Sequence, residues 1–198
     1  QHYADRPQFL AQLIVTYTDG SSELIATNPQ WKATQGPILE SDMLMGESYD
    51  ARRELTGWDQ PGYAESTWWP VEIFADNGAA LVATNGPLVN RQEAIRPVEI
   101  TPVPKMLKPR WIFDMGQNMV GRVRIKVNEP AGTTLTLRFA EVLQPDGNIY
   151  TQNLRAARCT DVYTCKGEPD ETWEPLFTFH GFRYVEVDGL SKPPTKDA

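Results

Sequence analysis

Apolar residues along this chain fall into short runs, and several of these alternate with polar residues at the two-residue period of a strand. Residues 120–127 read Val-Gly-Arg-Val-Arg-Ile-Lys-Val, which places Val123, Ile125 and Val127 on one face and Arg122, Arg124 and Lys126 on the other. After Glu129-Pro130-Ala131-Gly132 the alternation resumes, with Leu135, Leu137 and Phe139 pointing one way and Thr134, Thr136 and Arg138 the other. These two segments are expected to pair as a hairpin around the Pro-Ala-Gly turn. Another hairpin is predicted near the start, where the apolar run Phe9, Leu10, Leu13, Ile14 and Val15 is followed by Thr18-Asp19-Gly20-Ser21 and then Glu23-Leu24-Ile25-Ala26-Thr27. Asp-Gly between two β-prone runs signals such a turn because glycine accepts the positive φ it requires. Pro145-Asp146-Gly147-Asn148 marks a further reversal, and residues 181–187 supply a closing strand. Only 50–55 and 153–158 have room for a turn or two of helix. The predicted fold class is all-β, organised as two β-sandwich or jelly-roll-like domains.

A chain of 198 residues holds one large sandwich or two small ones, and its 16 prolines and 14 glycines favour many turns over long helices. Three prolines in residues 101–109 lack the backbone N–H that a sheet ladder needs, so this stretch reads as a linker. The expected organisation is a first domain over 1–100, a linker over 101–109, a second domain over 110–190 and a tail over 191–198. With 26 acidic against 19 basic residues the net charge is -7, and the basic residues form no cluster, which argues against nucleic acid as a partner. No run approaches the roughly 18 apolar residues of a membrane span, and no charged-then-apolar leader opens the sequence. A soluble protein is expected, its targeting signal absent or removed; bacterial cytoplasm, periplasm and the outside all remain open. Cys159 and Cys165 lie about 20 Å apart if the stretch between them is extended, beyond the roughly 7 Å that a disulfide tolerates, so both are expected as free thiols.

The segment Phe113-Asp114-Met115-Gly116-Gln117-Asn118-Met119-Val120-Gly121-Arg122 is an unusual run of polar and glycine residues leading into a strand pattern. Together with Pro130-Ala131-Gly132-Thr133-Thr134, Arg138-Phe139-Ala140-Glu141-Val142-Leu143, Pro145-Asp146-Gly147 and Asn153-Leu154-Arg155, it resembles the β-sandwich that precedes the catalytic domain of bacterial α-L-rhamnosidases of glycoside hydrolase family 78. The closing Thr172-Trp173-Glu174-Pro175 and Phe177-Thr178-Phe179-His180-Gly181-Phe182-Arg183-Tyr184 match as well. Upstream, Gly36-Pro37-Ile38, Gly46-Glu47-Ser48-Tyr49-Asp50-Ala51-Arg52 and Gly57-Trp58 resemble the second half of that family's N-terminal jelly-roll-like domain. The resemblance implies a first domain that is incomplete here and a concanavalin-like second domain. It also implies a catalytic barrel outside this sequence, carrying the acid and base carboxylates of an inverting hydrolase. No catalytic residue is therefore assigned. The function expected is that of a non-catalytic carbohydrate-binding or scaffold segment of an enzyme acting on terminal L-rhamnose of plant or bacterial glycans. A free-standing lectin-like module is the alternative, and self-association through the unpaired strand edges of a partial jelly roll is a third.

Sugars are held by flat aromatic faces and by planar polar groups that bond hydroxyls, which makes Tyr49, Asp50, Arg52, Trp58, Trp68 and Trp69 the candidate sugar-binding residues, with Tyr63 nearby. Each has a plainer reading: the aromatics as packing residues, with adjacent Trp68 and Trp69 on opposite faces of an extended chain, and Asp50 with Arg52 as an ion pair. Because rhamnose-binding modules related to the first domain can use calcium, Asp42, Glu47, Asp50 and Asp59 are weighed as oxygen ligands, although no loop fixes their geometry. No metal or other cofactor is assigned. His180 is expected as a core histidine and Arg183 as the partner of a carboxylate such as Glu141. Asp114, Gln117 and Asn118 with Gly116 are expected to form a self-bonded turn or bulge.

Overall fold

The computed structural model describes residues 8–75, 78, 80, 82, 85–103, 106 and 108–196. It is all-β: thirteen strands are described, and helix is limited among the described residues to two 3-10 turns, Ala51–Arg53 and Gln152–Leu154. The first turn falls inside the 50–55 segment that the sequence left for helix, and the second overlaps the start of 153–158, beginning one residue earlier. No described helix is long and apolar enough to cross a membrane. The chain divides into two compact units, residues 1–35 with 59–87 and residues 36–58 with 88–198.

In the first unit the predicted N-terminal hairpin forms, with β1 (Gln12–Thr16) antiparallel to β2 (Ser22–Ala26) and Leu13 opposite Ile25. Its turn closes through the Gly20 N–H donating to the Tyr17 carbonyl at 3.0 Å. Leu13, Ile14, Leu24 and Ile25 are all exposed, so neither face of this ribbon is covered by the unit itself. A second short pair joins β3 (Lys32–Ala33) to β6 (Trp69–Pro70), and Lys32 and Glu65 form an ion pair at 2.9 Å.

The second unit is built on a seven-stranded sheet. Its strands are β4 (Ile38–Asp42), β5 (Gly46–Asp50), β7 (Glu99–Pro102), β8 (Arg110–Gly121), β10 (Thr134–Ala140), β11 (Thr160–Thr164) and β13 (His180–Asp188). They run in the order β4-β5-β11-β10-β13-β8-β7. A smaller sheet of β9 (Ile125–Val127) and β12 (Glu171–Trp173) covers one face. The core lies between them: Leu135, Leu137, Phe139, Tyr163, Phe182, Val185 and Val187 meet Ile125, Val127 and Trp173. Two sheets that close on one apolar layer in this way form a sandwich. A lesser cluster of Val103, Ile112, Ala140 and Ile149 lies apart from that core.

The sequence placed the faces of these strands correctly and one pairing wrongly. Ile125 and Val127 are buried with Lys126 exposed, and Leu135, Leu137 and Phe139 are fully buried. The expected hairpin of the 120–127 and 133–139 segments does not form, because both edges of β10 are taken by β11 and β13 while β9 pairs with β12. The Pro-Ala-Gly turn closes through the Thr133 N–H bonding the Pro130 carbonyl, and instead of joining neighbours it carries the chain from one sheet to the other. The 120–127 strand is also interrupted, with β8 ending at Gly121 and β9 starting at Ile125. The bulge around Gly116 is present. Opposite β13 the register jumps from Met119 to Asp114 between Phe182 and Tyr184, and the Gly116 N–H donates to Asp114 Oδ1 at 2.7 Å.

The expected linker over 101–109 begins inside the sheet. Thr101 and Pro102 belong to β7, which pairs with β8 at the edge of the sheet, where a proline N–H is not missed. Pro104, Lys105 and Leu107 of the proposed linker lie outside the described residues. β4 and β5 come from the first hundred residues and complete the sheet of the second unit. β5 is parallel to β11, with Tyr49 opposite Tyr163. Gly46, at φ +106, is held so close that a Cβ there would stand 2.0 Å from the Thr160 carbonyl oxygen.

Replacing Leu137, buried in the middle of β10, with alanine is expected to cost about 2–5 kcal/mol. The check is a lower urea midpoint at an unchanged denaturant slope, which separates lost packing from a change in the extent of unfolding.

Candidate functional site

The candidate residues of the second unit cluster where β5 runs into the first 3-10 turn. Asp50 ends the strand and caps the turn, its Oδ1 accepting the Arg52 N–H at 3.1 Å. The Arg52 guanidinium then closes a two-pronged pair on the same carboxylate, at 2.9 and 2.8 Å. Hydrogen bonding from Arg52 holds the Asp50 carboxyl below its usual range. The ion-pair reading of these two residues is the one the geometry supports. Tyr49 projects toward the core, stacked on Tyr163 at 5.9 Å and tilted against Trp173 at 5.9 Å, while its hydroxyl donates to Glu54 at 3.1 Å. Burial, followed by the Glu54 carboxylate, pushes the Tyr49 phenol upward. Trp58 follows Gly57 at the end of the next turn and is 62 % exposed.

The other two candidates stand in the first unit. Trp68 is half-buried against Tyr63, with ring centroids 5.9 Å apart, whereas Trp69 is 59 % exposed. Neighbouring indoles in an extended segment thus differ in burial, as the strand geometry required.

Beside Arg52 lies an open depression of about 320 Å³ lined by Ala51, Arg52, Glu54, Thr56, Lys166 and Glu168. Lys166 bridges its two acids at 2.9 Å each. These bonds raise the lysine further above its ordinary range. Beneath the depression, Glu171 is buried and accepts four hydrogen bonds: from the Tyr163 hydroxyl at 2.7 Å and from the N–H groups of Lys166, Gly167 and Glu168 at 3.0, 2.6 and 2.9 Å. Burial opposes its charge, but those donors outweigh it and hold the carboxyl below its usual range. The 166–171 loop is therefore wrapped around a fixed anion. None of this was visible in the sequence, because Glu54 and Lys166 meet across 112 positions.

The carboxylates weighed as calcium ligands go to separate donors. Asp42 takes the N–H groups of Leu44 and Met45, Asp50 takes Arg52, and fully buried Glu47 takes the N–H groups of Leu176 and Phe177. Asp59 accepts from Gln60 on an exposed turn. Among the described residues no group of three or more His, Cys, Asp and Glu side chains is placed to hold a metal ion.

Arg183 pairs with Asp114, at 2.9 and 2.8 Å, and not with Glu141. The bulge in β8 sets Asp114 beside Arg183, while Glu141 accepts instead from Asn118 at 3.0 Å. His180 is a core residue as expected, stacked on Phe139 at 4.1 Å. Cys159 and Cys165 are buried free thiols, and burial pushes Cys165 up to about 11.

The architecture is that of a β-sandwich region, and the comparisons give the family. Residues 1–93 match the α-L-rhamnosidase N-terminal domain and residues 105–198 the bacterial α-L-rhamnosidase concanavalin-like domain. The chain belongs to the bacterial α-L-rhamnosidase family, of which it carries these two domains. It is 49 % identical to an α-L-rhamnosidase of Streptomyces avermitilis over 98 % of its own length and 18 % of that protein, and 41 % identical to one of Alteromonas sp. over 96 % and 21 %. Among solved structures it resembles α-L-rhamnosidase from Dictyoglumus thermophilum, with a TM-score of 0.85 at 36 % identity over 95 % of this chain and 21 % of that one. It also resembles the Streptomyces avermitilis α-L-rhamnosidase complexed with L-rhamnose, with a TM-score of 0.79 at 48 % identity over 95 % and 18 %. The chain thus spans about a fifth of the length of the curated relatives it matches.

Glu171→Gln removes the charge that three backbone N–H groups and Tyr163 surround, and is expected to destabilise the chain by about 1–3 kcal/mol at neutral pH. Because the folded carboxyl lies below its ordinary value, its contribution is present above about pH 4.5 and fades as pH falls through the folded value. The variant should therefore lose less stability than the wild type between pH 5 and pH 3, as read from thermal midpoints.

Proposed function

We propose that this chain serves as a non-catalytic scaffold and sugar-contacting segment of an α-L-rhamnosidase, without turnover of its own. The observation that carries this reading is the commitment of its ordered carboxylates to structural donors. Asp50 is tied to Arg52, Asp114 to Arg183, Glu186 to Arg138, and Glu171 to three backbone N–H groups. Inverting hydrolysis needs two carboxyl groups about 6.5–9.5 Å apart across one bond, one of them keeping a proton to give the leaving group. Asp50, Asp114 and Glu171 are pushed in the opposite direction, toward the ionised form.

The sugar contact falls to the candidates of the second unit that remain accessible. Trp58 offers an open indole face, and Arg52, half in solvent, keeps donor capacity beside the charged depression. A hydroxyl-rich ring laid on that indole would bury its C–H face there and turn its hydroxyls toward neighbouring polar groups. L-Rhamnose is the ligand of choice, since it is the sugar held by the Streptomyces avermitilis relative.

The purified chain should release no nitrophenol from 4-nitrophenyl α-L-rhamnoside; turnover at any rate that scales with chain concentration overturns the non-catalytic reading. Titration with L-rhamnose should shift the indole N–H resonance of Trp58, and Trp58→Ala should weaken binding about tenfold, or roughly 1.4 kcal/mol. If no resonance moves into the millimolar range, the sugar contact is refuted and scaffolding alone stands.

A further inference from the structure

His180 sits at the head of a run of hydrogen bonds that ends at the surface. Its Nε2 lies 3.0 Å from Asp161 Oδ1 and its Nδ1 lies 3.3 Å from Cys159 Sγ. The same Asp161 Oδ1 accepts the Glu47 N–H at 2.9 Å, which fixes β5 against β11. The Glu47 side chain, fully buried, then accepts the N–H groups of Leu176 and Phe177, at 3.2 and 3.1 Å. Beyond those amides the side chains of Leu176 and Phe177 stand in solvent. Asp161 is fully buried and its Oδ2 has no hydrogen-bond donor, so the imidazole is the group that compensates this carboxylate.

We infer that His180 and Asp161 form a titratable latch, which holds β5 and the 174–179 turn to the sheet while the imidazole is protonated and loosens them when the proton leaves. Every element around the ring bears on that balance. From the β11 side come Cys159 and Asp161, and from β5 comes Glu47. β10 contributes the Phe139 ring. On the β8 side the partner of His180 is Gly121, and the following Arg122 directs its guanidinium to the carbonyls of Pro175 and Leu176 and to Glu174. Asp42 spends its carboxylate on Leu44 and Met45 and lends its carbonyl to Thr178. One buried carboxylate, that of Asp161, therefore faces the imidazole, and among the described residues no other cation bonds to it.

Burial acts against the charged ring, but the hydrogen bonds to Asp161 and Cys159 outweigh it and raise the imidazole from 6.5 to about 9. A folded value above the unfolded one gives stability that is complete below about pH 6.5 and is lost as pH rises through about 9. A neutral ring still has one N–H to give, so the latch slackens without dissolving. What disappears is the positive charge opposite an otherwise uncompensated carboxylate.

The test uses the whole chain. Histidine ring resonances should show His180 titrating near pH 9, distinct from His2, the only other histidine in the sequence. Amide exchange, corrected for its intrinsic pH dependence, should show protection at Glu47, Leu176 and Phe177 falling about tenfold between pH 6.5 and 9.5. Amides of β10 should change little. His180→Gln should flatten that dependence. A His180 midpoint at or below 6.5, protection at the three amides that stays constant across the window, or the same fall in His180→Gln would each overturn the latch. If His180→Gln does not fold, the resonances and exchange of the wild type decide alone.

Discussion

A charge removed from water must find donors or a counter-charge, and the second unit is organised by carboxylates that have done so. Glu47 is the central case. It lies on a strand contributed by the first hundred residues, yet its oxygens hold the backbone of 176 and 177, and its own N–H is held by Asp161. Removing that carboxylate would leave two backbone donors without their acceptor, so sheet edge and turn depend on the same side chain. Glu171 does the same for the 166–171 loop, under the depression lined by Arg52 and Lys166.

Anchoring of this kind separates the two roles acids play in a glycoside hydrolase. A carboxyl group that shuttles protons needs an environment that leaves it undecided between its two forms. Here Asp50 is held by a guanidinium group and Glu171 by N–H donors and a hydroxyl, which favour the anion in both. The outcome for these two side chains is shape-holding, in a chain that spans about a fifth of the length of its relatives.

The sequence made legible whatever depends on neighbours along the chain. Alternation in 134–139 gave the buried face of β10, Asp19-Gly20 gave the first hairpin, and the polar run at 114–118 gave the bulge. Pairing was less legible, because strands with the same alternation compete for the same edges. Nothing local in 125–127 says that its partner is 171–173 and not 134–140. The candidate site was half visible. Asp50 and Arg52 sit two residues apart and were paired on that ground, whereas Lys166, Glu54 and Glu171 assemble through the fold alone. The motif at 46–52 was recognised for its family likeness, but its place in the sheet of the second unit followed from tertiary contacts: Tyr49 against Tyr163 and Trp173.

The parallel seam between β5 and β11 also shapes how the molecule comes into being. Glu47 and Asp161 are 114 positions apart, so during synthesis the earlier strand emerges and waits while more than a hundred residues follow it. Closing so large a loop is slow and is rewarded only at the end. Folding should therefore finish at this seam, and in the interval the aromatic faces of Tyr163 and Trp173 are open to any passing strand. For this protein the hazard of misassembly is concentrated at one edge and at one late moment.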